Sequence, residues 1–329
     1  MLHLRCGDDI LEMLEAAGIP GEKAKWCDPL CEGPIRAWPD DGARRAERSA
    51  WIAARFGGDP KEVLHQFEAE DMTLASAARQ DEVVLWFEAD LFDQSILVFL
   101  LDRLAEIAPG HTSLICIGSY PGVSDFVGLG NLSPEQLATL FPARVPVTAA
   151  QFGLARTAWE VLQSGDPEAM WALASSGTPE LEFLADAIRR HLADLPSTRT
   201  GLSLTESLSL MVFAAGADTP GHAFPAVQRF ETRPWMGDVG FFATLRLLAS
   251  GPTPLLRAQG KLPRVDDHHA FLQTKFEVTD HGRAVLEGRE DWFRLAGVSR
   301  WHGSILLEAP EPGWRWDERA ERPVKAIDD

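Results

Sequence analysis

Glu82-Val83-Val84-Leu85-Trp86-Phe87, followed at once by Glu88, is a compact apolar run of β-forming residues. That is the pattern of a strand covered on both faces, as in a parallel sheet. Behind it, residues 92–107 read as a strongly apolar helix, and residues 112–117 as a second buried strand closed by Gly118. Upstream, Leu2-His3-Leu4-Arg5-Cys6 reads as a first strand. Gly7-Asp8-Asp9 then turns into a helix with Ile10, Leu11, Met13 and Leu14 on one side, ended by Gly18. Residues 23–27 form the next expected strand, followed by a loop with Pro29, Gly33 and Pro34 and by helices over 42–55 and 60–79. Strand and helix in alternation predict an α/β domain over 1–130 with a doubly wound, mostly parallel sheet.

Residues 131–195 read as a helical connecting region. Ser133-Pro134-Glu135-Gln136 and Thr148-Ala149-Ala150-Gln151 are capping boxes, and Thr178-Pro179 is expected to start a further helix through His191. The turn-rich segment 195–201 marks the expected boundary. Beyond it, helices opening at Ser203, Ala223 and Asp238 precede strand-like pieces at 254–257, 276–279 and 301–307, with a helix from about Asp280 between the last two. Three helices and a ribbon predict a winged helix-turn-helix-like α+β domain over 196–310, with a tail over 311–329.

The chain has 329 residues, 45% of them hydrophobic and 24% charged, which excludes a disordered or low-complexity protein. A single core stops growing near about 250 residues, so more than one domain is expected. The longest apolar run, residues 95–101, ends at Asp102, far short of the ~20 residues of a membrane span, so no membrane partner is expected. Asp8 and Asp9 stand where an export signal needs its apolar stretch, and the four cysteines form no regular framework. A reducing cytoplasm is the setting these features predict. The net charge of −18 is carried mainly by residues 1–195, with 15 Lys+Arg against 31 Asp+Glu, whereas residues 196–310 hold 12 of each. The first half therefore repels nucleic acid, and the second permits such binding without arguing for it.

Ligands of open parallel sheets bind beyond the carboxyl ends of the strands. That rule selects Gly7, Asp8 and Asp9 after the first strand, and Asp28, Cys31, Glu32 and Gly33 after the second. It selects Glu88, Asp90, Asp93 and Gln94 after the third, and Ser119 after the fourth. Crowded carboxylates raise one another's pKa or coordinate a hard cation, and a Mg²⁺ so bound would hold a phosphate. The expectation is a small phosphorylated or nucleotide-like ligand, with Glu88, Asp8 and Glu32 as the groups for chemistry. Asp8 and Glu88 would be the ligands of Mg²⁺, and the backbone at Gly7 would receive an anion at a helix N-terminus. The plainer alternative is that Asp8, Asp9 with Glu12, and Asp90 with Asp93 cap helices. Glu88 resists that alternative, because nothing in helix formation asks for a carboxylate there. Whether a reaction follows binding is left open.

Other candidates carry less. Cys27-x-x-x-Cys31 lacks zinc-knuckle spacing and a second pair, which leaves a catalytic thiol at Cys31 as the remaining idea. Gly118-Ser119-Tyr120-Pro121 departs from a nucleophile elbow at Pro121. The third helix of the winged-helix reading offers only Arg246 and Thr244 to base edges, so a regulator or adaptor acting through that domain is the alternative function. A homo-oligomer is compatible with either.

His3-x-x-x-Gly7-Asp8, Asp28-Pro29-Leu30-Cys31-Glu32-Gly33-Pro34 and Leu85-Trp86-Phe87-Glu88-x-Asp90-Leu91-Phe92-Asp93-Gln94 resemble the bacterial family known as domain of unknown function 1835. The likeness continues through Gly128-Leu129-Gly130-x-Leu132-Ser133-Pro134-Glu135-Gln136-Leu137, Pro196-Ser197-Thr198-Arg199 and Arg300-Trp301-x-Gly303, and so spans nearly the whole chain. The resemblance implies the domain layout above and draws attention to the strand-end residues, but it implies no reaction. Where the family pattern has Arg before the Asp-Pro pair, this chain has Cys27.

Overall fold

The computed structural model describes residues 1–297 and 299–326. Five strands form one sheet in the order β2-β1-β3-β4-β5: β1 (Leu2–Arg5), β2 (Glu22–Lys25), β3 (Val83–Glu88), β4 (Thr112–Ile117) and β5 (Val145–Pro146). The first four are parallel, and the short β5 runs antiparallel to β4. The α/β expectation therefore holds, with a mainly parallel sheet flanked by helices.

Every residue of β1 and β3 is buried, and strand alternation divides them between two apolar layers. Leu2, Leu4, Val83, Leu85 and Phe87 pack with α4 (Leu91–Ile107) and α6 (Ala149–Gln163). Val84 and Trp86 pack with α1 (Leu11–Ala16) and α5 (Pro134–Leu140). The same alternation puts His3 and Arg5 on the Trp86 side. The indole N–H of Trp86 donates to His3 Nδ1 at 3.0 Å, and His3 Nε2 meets the Pro20 carbonyl at 2.9 Å. These partners assign the neutral tautomer, and burial lowers the pKa of the ring.

The order of the strands creates an opening. From β1 the chain passes through α1 to β2 on one side, then returns through α2 (Asp41–Phe56) and α3 (Pro60–Ser76) to β3 on the other. Connections leaving β1 and β3 diverge to opposite faces, and the crevice between their carboxyl ends is where such sheets hold ligands.

Helices α7 (Pro167–Ser176) and α8 (Leu184–Leu192) extend the layer outside α4. A second core follows, built by α9 (Leu204–Ala214), α10 (Pro220–Gln228), α11 (Asp238–Leu248), α12 (His268–Gln273), α13 (Asp280–Leu286) and α14 (Trp292–Ala296). The antiparallel pair β6 (Leu256–Ala258) and β7 (Phe276–Val278) belongs to it. Two further hairpins, β8 (Arg300–His302) with β9 (Ile305–Leu307) and β10 (Trp314–Asp317) with β11 (Arg322–Lys325), end the described chain. Ile305, Leu307 and Trp316 return to the first core.

Several local expectations need correction. The strand expected over 23–27 runs Glu22–Lys25. The helix expected from Thr178 begins at Leu184, because Thr178 Oγ1 first closes a turn, donating to the Leu181 carbonyl and accepting from Ala185 N. Helix α7 was not anticipated, although Asp166 caps it and Pro167 occupies its first turn. No single ribbon forms from the three strand-like pieces, since 256–258 pairs with 276–278 while 300–307 folds on itself. The turn-rich segment after Leu195 is held in place, with Thr198 N and Trp316 N exchanging bonds with the Trp316 and Pro196 carbonyls.

The loop after β2 is fixed by one buried ion pair. Arg48 of α2 and Asp28 are both fully buried, and Arg48 donates to both Asp28 oxygens. The guanidinium also donates to the carbonyls of Glu32 at 2.6 Å and Pro29 at 3.0 Å. Arg44 Nη1 also stands 3.6 Å from Asp28, but removing Arg48 strips the buried carboxylate of its hydrogen-bonded partner. Arg48→Leu is expected to lower the unfolding free energy by about 3–5 kcal/mol in urea titration. The exposed Arg36, paired with Glu47, serves as the control, and Arg36→Leu should cost under about 1 kcal/mol.

Candidate functional site

Arg5 is the last residue of β1 and is 4% exposed. Directly across the crevice, β3 ends at Glu88, and Asp90 begins α4. A buried cation on an apolar strand must be paired, and here the pairing is extensive. Arg5 Nη2 donates to Glu88 Oε1 at 2.6 Å, Nη1 to Asp93 Oδ1, and Nε and Nη2 to the two Asp9 oxygens at 3.1 and 3.2 Å. Nη1 also reaches the Trp86 carbonyl at 3.5 Å. All five guanidinium N–H groups are thus engaged.

The carboxylates are positioned from their own elements as well. Asp90 caps α4 by accepting from Asp93 N at 3.0 Å, as the capping alternative expects. Asp93 Oδ1 turns back to accept from Glu88 N at 2.7 Å, and Asp93 Oδ2 accepts from the Cys6 thiol at 3.0 Å. Glu88 Oε1 accepts a second bond, from Leu129 N at 2.6 Å. Two oxygens, Glu88 Oε2 and Asp90 Oδ2, receive no hydrogen bond from the described residues. Burial, with Asp93 beside it and Arg5 opposing, pushes the Glu88 carboxyl up to about 7. Burial and Asp93 also push Asp90 well above the carboxylate range. A carboxyl titrating near 7 can take or give a proton at neutral pH.

These groups line a cleft of about 550 Å³. Gly7, Asp8, Asp9, Glu88, Asp90 and Asp93 all border it, so topology gathers six of the expected residues. The far wall comes from the second core, through Gln228 and the 234–237 segment with Trp235. Among the described residues, one three-carboxylate group has oxygens close enough for a shared cation, namely Glu88, Asp90 and Asp93, all within 4.8 Å of one another.

Other expected residues stand elsewhere. Asp8 is 77% exposed in its side chain, pairs with Lys25 Nζ at 3.4 Å, and lies outside the close group of Glu88, Asp90 and Asp93, so the fold does not set it beside Glu88 as a shared pair of ligands. Gly7 meets no helix N-terminus, since α1 begins only at Leu11 and Asp9 serves Arg5 rather than a capping box. Asp28 is consumed by Arg48 and lines neither this cleft nor the cavity of Glu32. Gln94 lies beneath the cleft, its amide donating to the Glu88 carbonyl at 2.6 Å. Ser119 is exposed and borders neither this cleft nor the cavity of Glu32. Glu32 and Gly33 line that separate cavity, of about 160 Å³, where Gly33 is needed for its φ of +74° and because a Cβ would lie 2.5 Å from Trp51. Burial raises the Cys31 thiol well above its ordinary value, which disfavours the thiolate form a nucleophile uses.

Sequence reasoning missed Arg5, Cys6, the Leu129 amide and Trp235. Arg5 alone left a signal: a charge alternating with Leu2 and Leu4 in a buried strand demands partners.

Comparison with known protein families and with curated proteins yields no match.

Two predictions follow from this geometry. An ordinary glutamate titrates near 4.5, so between 4.5 and about 7 the folded chain keeps a proton on Glu88 that the unfolded chain has released. The associated stability is present below 4.5 and is lost as pH rises through about 7. Gln cannot ionise, so the unfolding free energy of Glu88→Gln relative to the parent should rise across that window, as followed by urea unfolding at several pH values. At Gly128 a Cβ would lie 2.2 Å from Glu88 Oε2. Gly128→Ala should therefore cost about 1–3 kcal/mol through overpacking and should displace the Glu88 titration seen by carboxyl NMR.

Proposed function

We propose that the chain binds a small phosphorylated molecule at the β1/β3 crevice together with a divalent cation, Mg²⁺ by its chemistry. The observation that carries this reading is the pair of undonated oxygens, Glu88 Oε2 and Asp90 Oδ2, beside an arginine whose donors are all spent. Among the described residues no other Lys or Arg lines the cleft, so a bare phosphate meets five carboxyl groups and no free cation. A hard cation held through one or two of those carboxylates reverses that balance and keeps positions open for phosphate oxygens. Three stretches on which the resemblance to domain of unknown function 1835 rests, around Gly7, Glu88 and Gly128, supply the lining, which supports the same location.

The winged-helix alternative needs a free third helix. Residues Phe241 to Leu245 and Leu248 of α11 are buried, and Arg55 of α2 donates to the Ala243 carbonyl at 3.2 Å. A helix so covered presents little to a nucleic acid, which favours the small-molecule reading over a regulator.

The test is thermal denaturation with Mg²⁺ alone, with AMP and glucose 6-phosphate, and with both together. Mg²⁺ should raise the melting temperature, the phosphorylated compounds should raise it further only when Mg²⁺ is present, and Glu88→Gln should abolish both shifts. Because cation binding expels the Glu88 proton, the Mg²⁺ shift should grow as pH rises past about 7. A melting temperature indifferent to Mg²⁺, or an equal response in Glu88→Gln, overturns the reading. A response to spermidine but not to Mg²⁺ does so too, and would assign the cleft to amines.

A further inference from the structure

The cavity that holds Glu32 lies where the loop after β2, the end of α8, the start of α9 and β8 meet, separated from the first cleft by Trp235 and Met236, which line both. Its chemistry is of another kind. Most of its charges are matched in place. Asp194 accepts from Thr205 N and Oγ1 at 2.8 and 2.9 Å and pairs with Arg190 at 3.0 Å. Glu206 is bound by Arg300 at 2.8 Å and by Ser203 N at 2.8 Å.

Four groups remain available. The Glu32 carboxylate accepts no hydrogen bond from the described residues, and Arg55 Nε stands 3.6 Å from it. Arg55 spends only Nη1, on the Ala243 carbonyl. His302 gives Nε2 to the His191 carbonyl at 2.9 Å, and burial holds the ring neutral, so Nδ1 keeps a free lone pair. The indole N–H of Trp235 is buried with no acceptor, an arrangement that native interiors avoid unless water or a ligand completes it. The available set is one carboxyl group, its pKa raised by burial with Arg55 opposing, and one further acceptor against one cation and one further donor. These four groups set an acidic and accepting pair against a basic and donating pair, which suits a ligand that carries both charges. At roughly 10–15 Å³ of such volume per water, 160 Å³ takes about 11–16 water-sized groups, room enough for a small amino acid.

We propose that this cavity is a second binding site, for a zwitterion of amino-acid size, whose ammonium meets Glu32 and His302 and whose carboxylate meets Arg55 and the Trp235 indole. The assignment stands apart from the Mg²⁺ and phosphate reading of the other cleft and survives its failure.

The experiment is titration of the ¹⁵N-labelled full chain with glycine and with L-alanine, following the Trp235 indole resonance assigned through Trp235→Phe. Acetate and methylammonium, each carrying half of the charge pattern, serve as controls. The zwitterions should move the indole signal saturably, and each control should bind at least about tenfold more weakly, the scale of a lost charge-assisted hydrogen bond. Glu32→Gln, isosteric and checked as folded by circular dichroism, should weaken glycine at least about tenfold, and Arg55→Gln should do the same. An indole signal unmoved by either zwitterion, controls that bind as well, or parental affinity in folded Glu32→Gln overturns the proposal.

Discussion

The carboxyl edge of the sheet depends on one guanidinium. Arg5 closes β1 at a position its neighbours Leu2 and Leu4 mark as interior, and a charge there is tolerable only because Asp93, Glu88 and Asp9 converge on it. The convergence also organises the chain. It ties the end of β1 to the end of β3, residues 83 positions apart, and fixes the first turn of α4 through Asp93. The carboxylates in turn overcompensate the arginine, and burial turns the excess into raised pKa values rather than free negative charge. What looks in the sequence like an acidic edge is in the fold a partly protonated network with two oxygens to spare.

The fold class was legible because its signal is local. The run 83–87 and the apolar helix behind it announce a doubly covered strand, and the boxes at Ser133 and Thr148 are seen in the structure where the residues place them. The grouping of Gly7, Asp9, Glu88, Asp90 and Asp93 was legible too, since strand-end position follows from topology once the strands are known. Side-chain direction was not. Asp28 and Glu32 leave the same strand four residues apart, yet one is swallowed by Arg48 and the other faces a different cavity. Nothing in their spacing distinguishes them, because the choice is made by an arginine on α2 and by how that helix packs. Arg5 went unremarked for the opposite reason: its residue type was visible, but its partners came from 83 and 88 positions away.

The loop from Asp28 to Pro34 shows how a buried charge pair can shape a site without entering it. Arg48 gathers the carbonyls of Pro29 and Glu32 around Asp28, and Gly33 crosses Trp51 in a conformation that leaves no room for a side chain. The cost of burying Arg48 and Asp28 is repaid by definite backbone geometry, and Glu32 is what that geometry presents. Replacing the pair by packed apolar residues could preserve stability, but it would surrender the carbonyl bonds that aim the loop.

Both hollows are completed by the second core. The 233–237 segment reaches back over the sheet edge, with Arg233 donating to the Ala89 carbonyl at 3.4 Å, the Met236 carbonyl held by Gln228 at 2.8 Å, and Arg190 stacked on Trp235 at 5.5 Å. Trp235 is therefore a partition whose two sides face different chemistry, acid clustered around a spent arginine on one and a balanced set of opposite charges on the other. Residues of the α/β half and of the 202–296 core line both hollows, and Glu206 of α9 with Arg300 and His302 of β8 adds charged and polar groups to the smaller one.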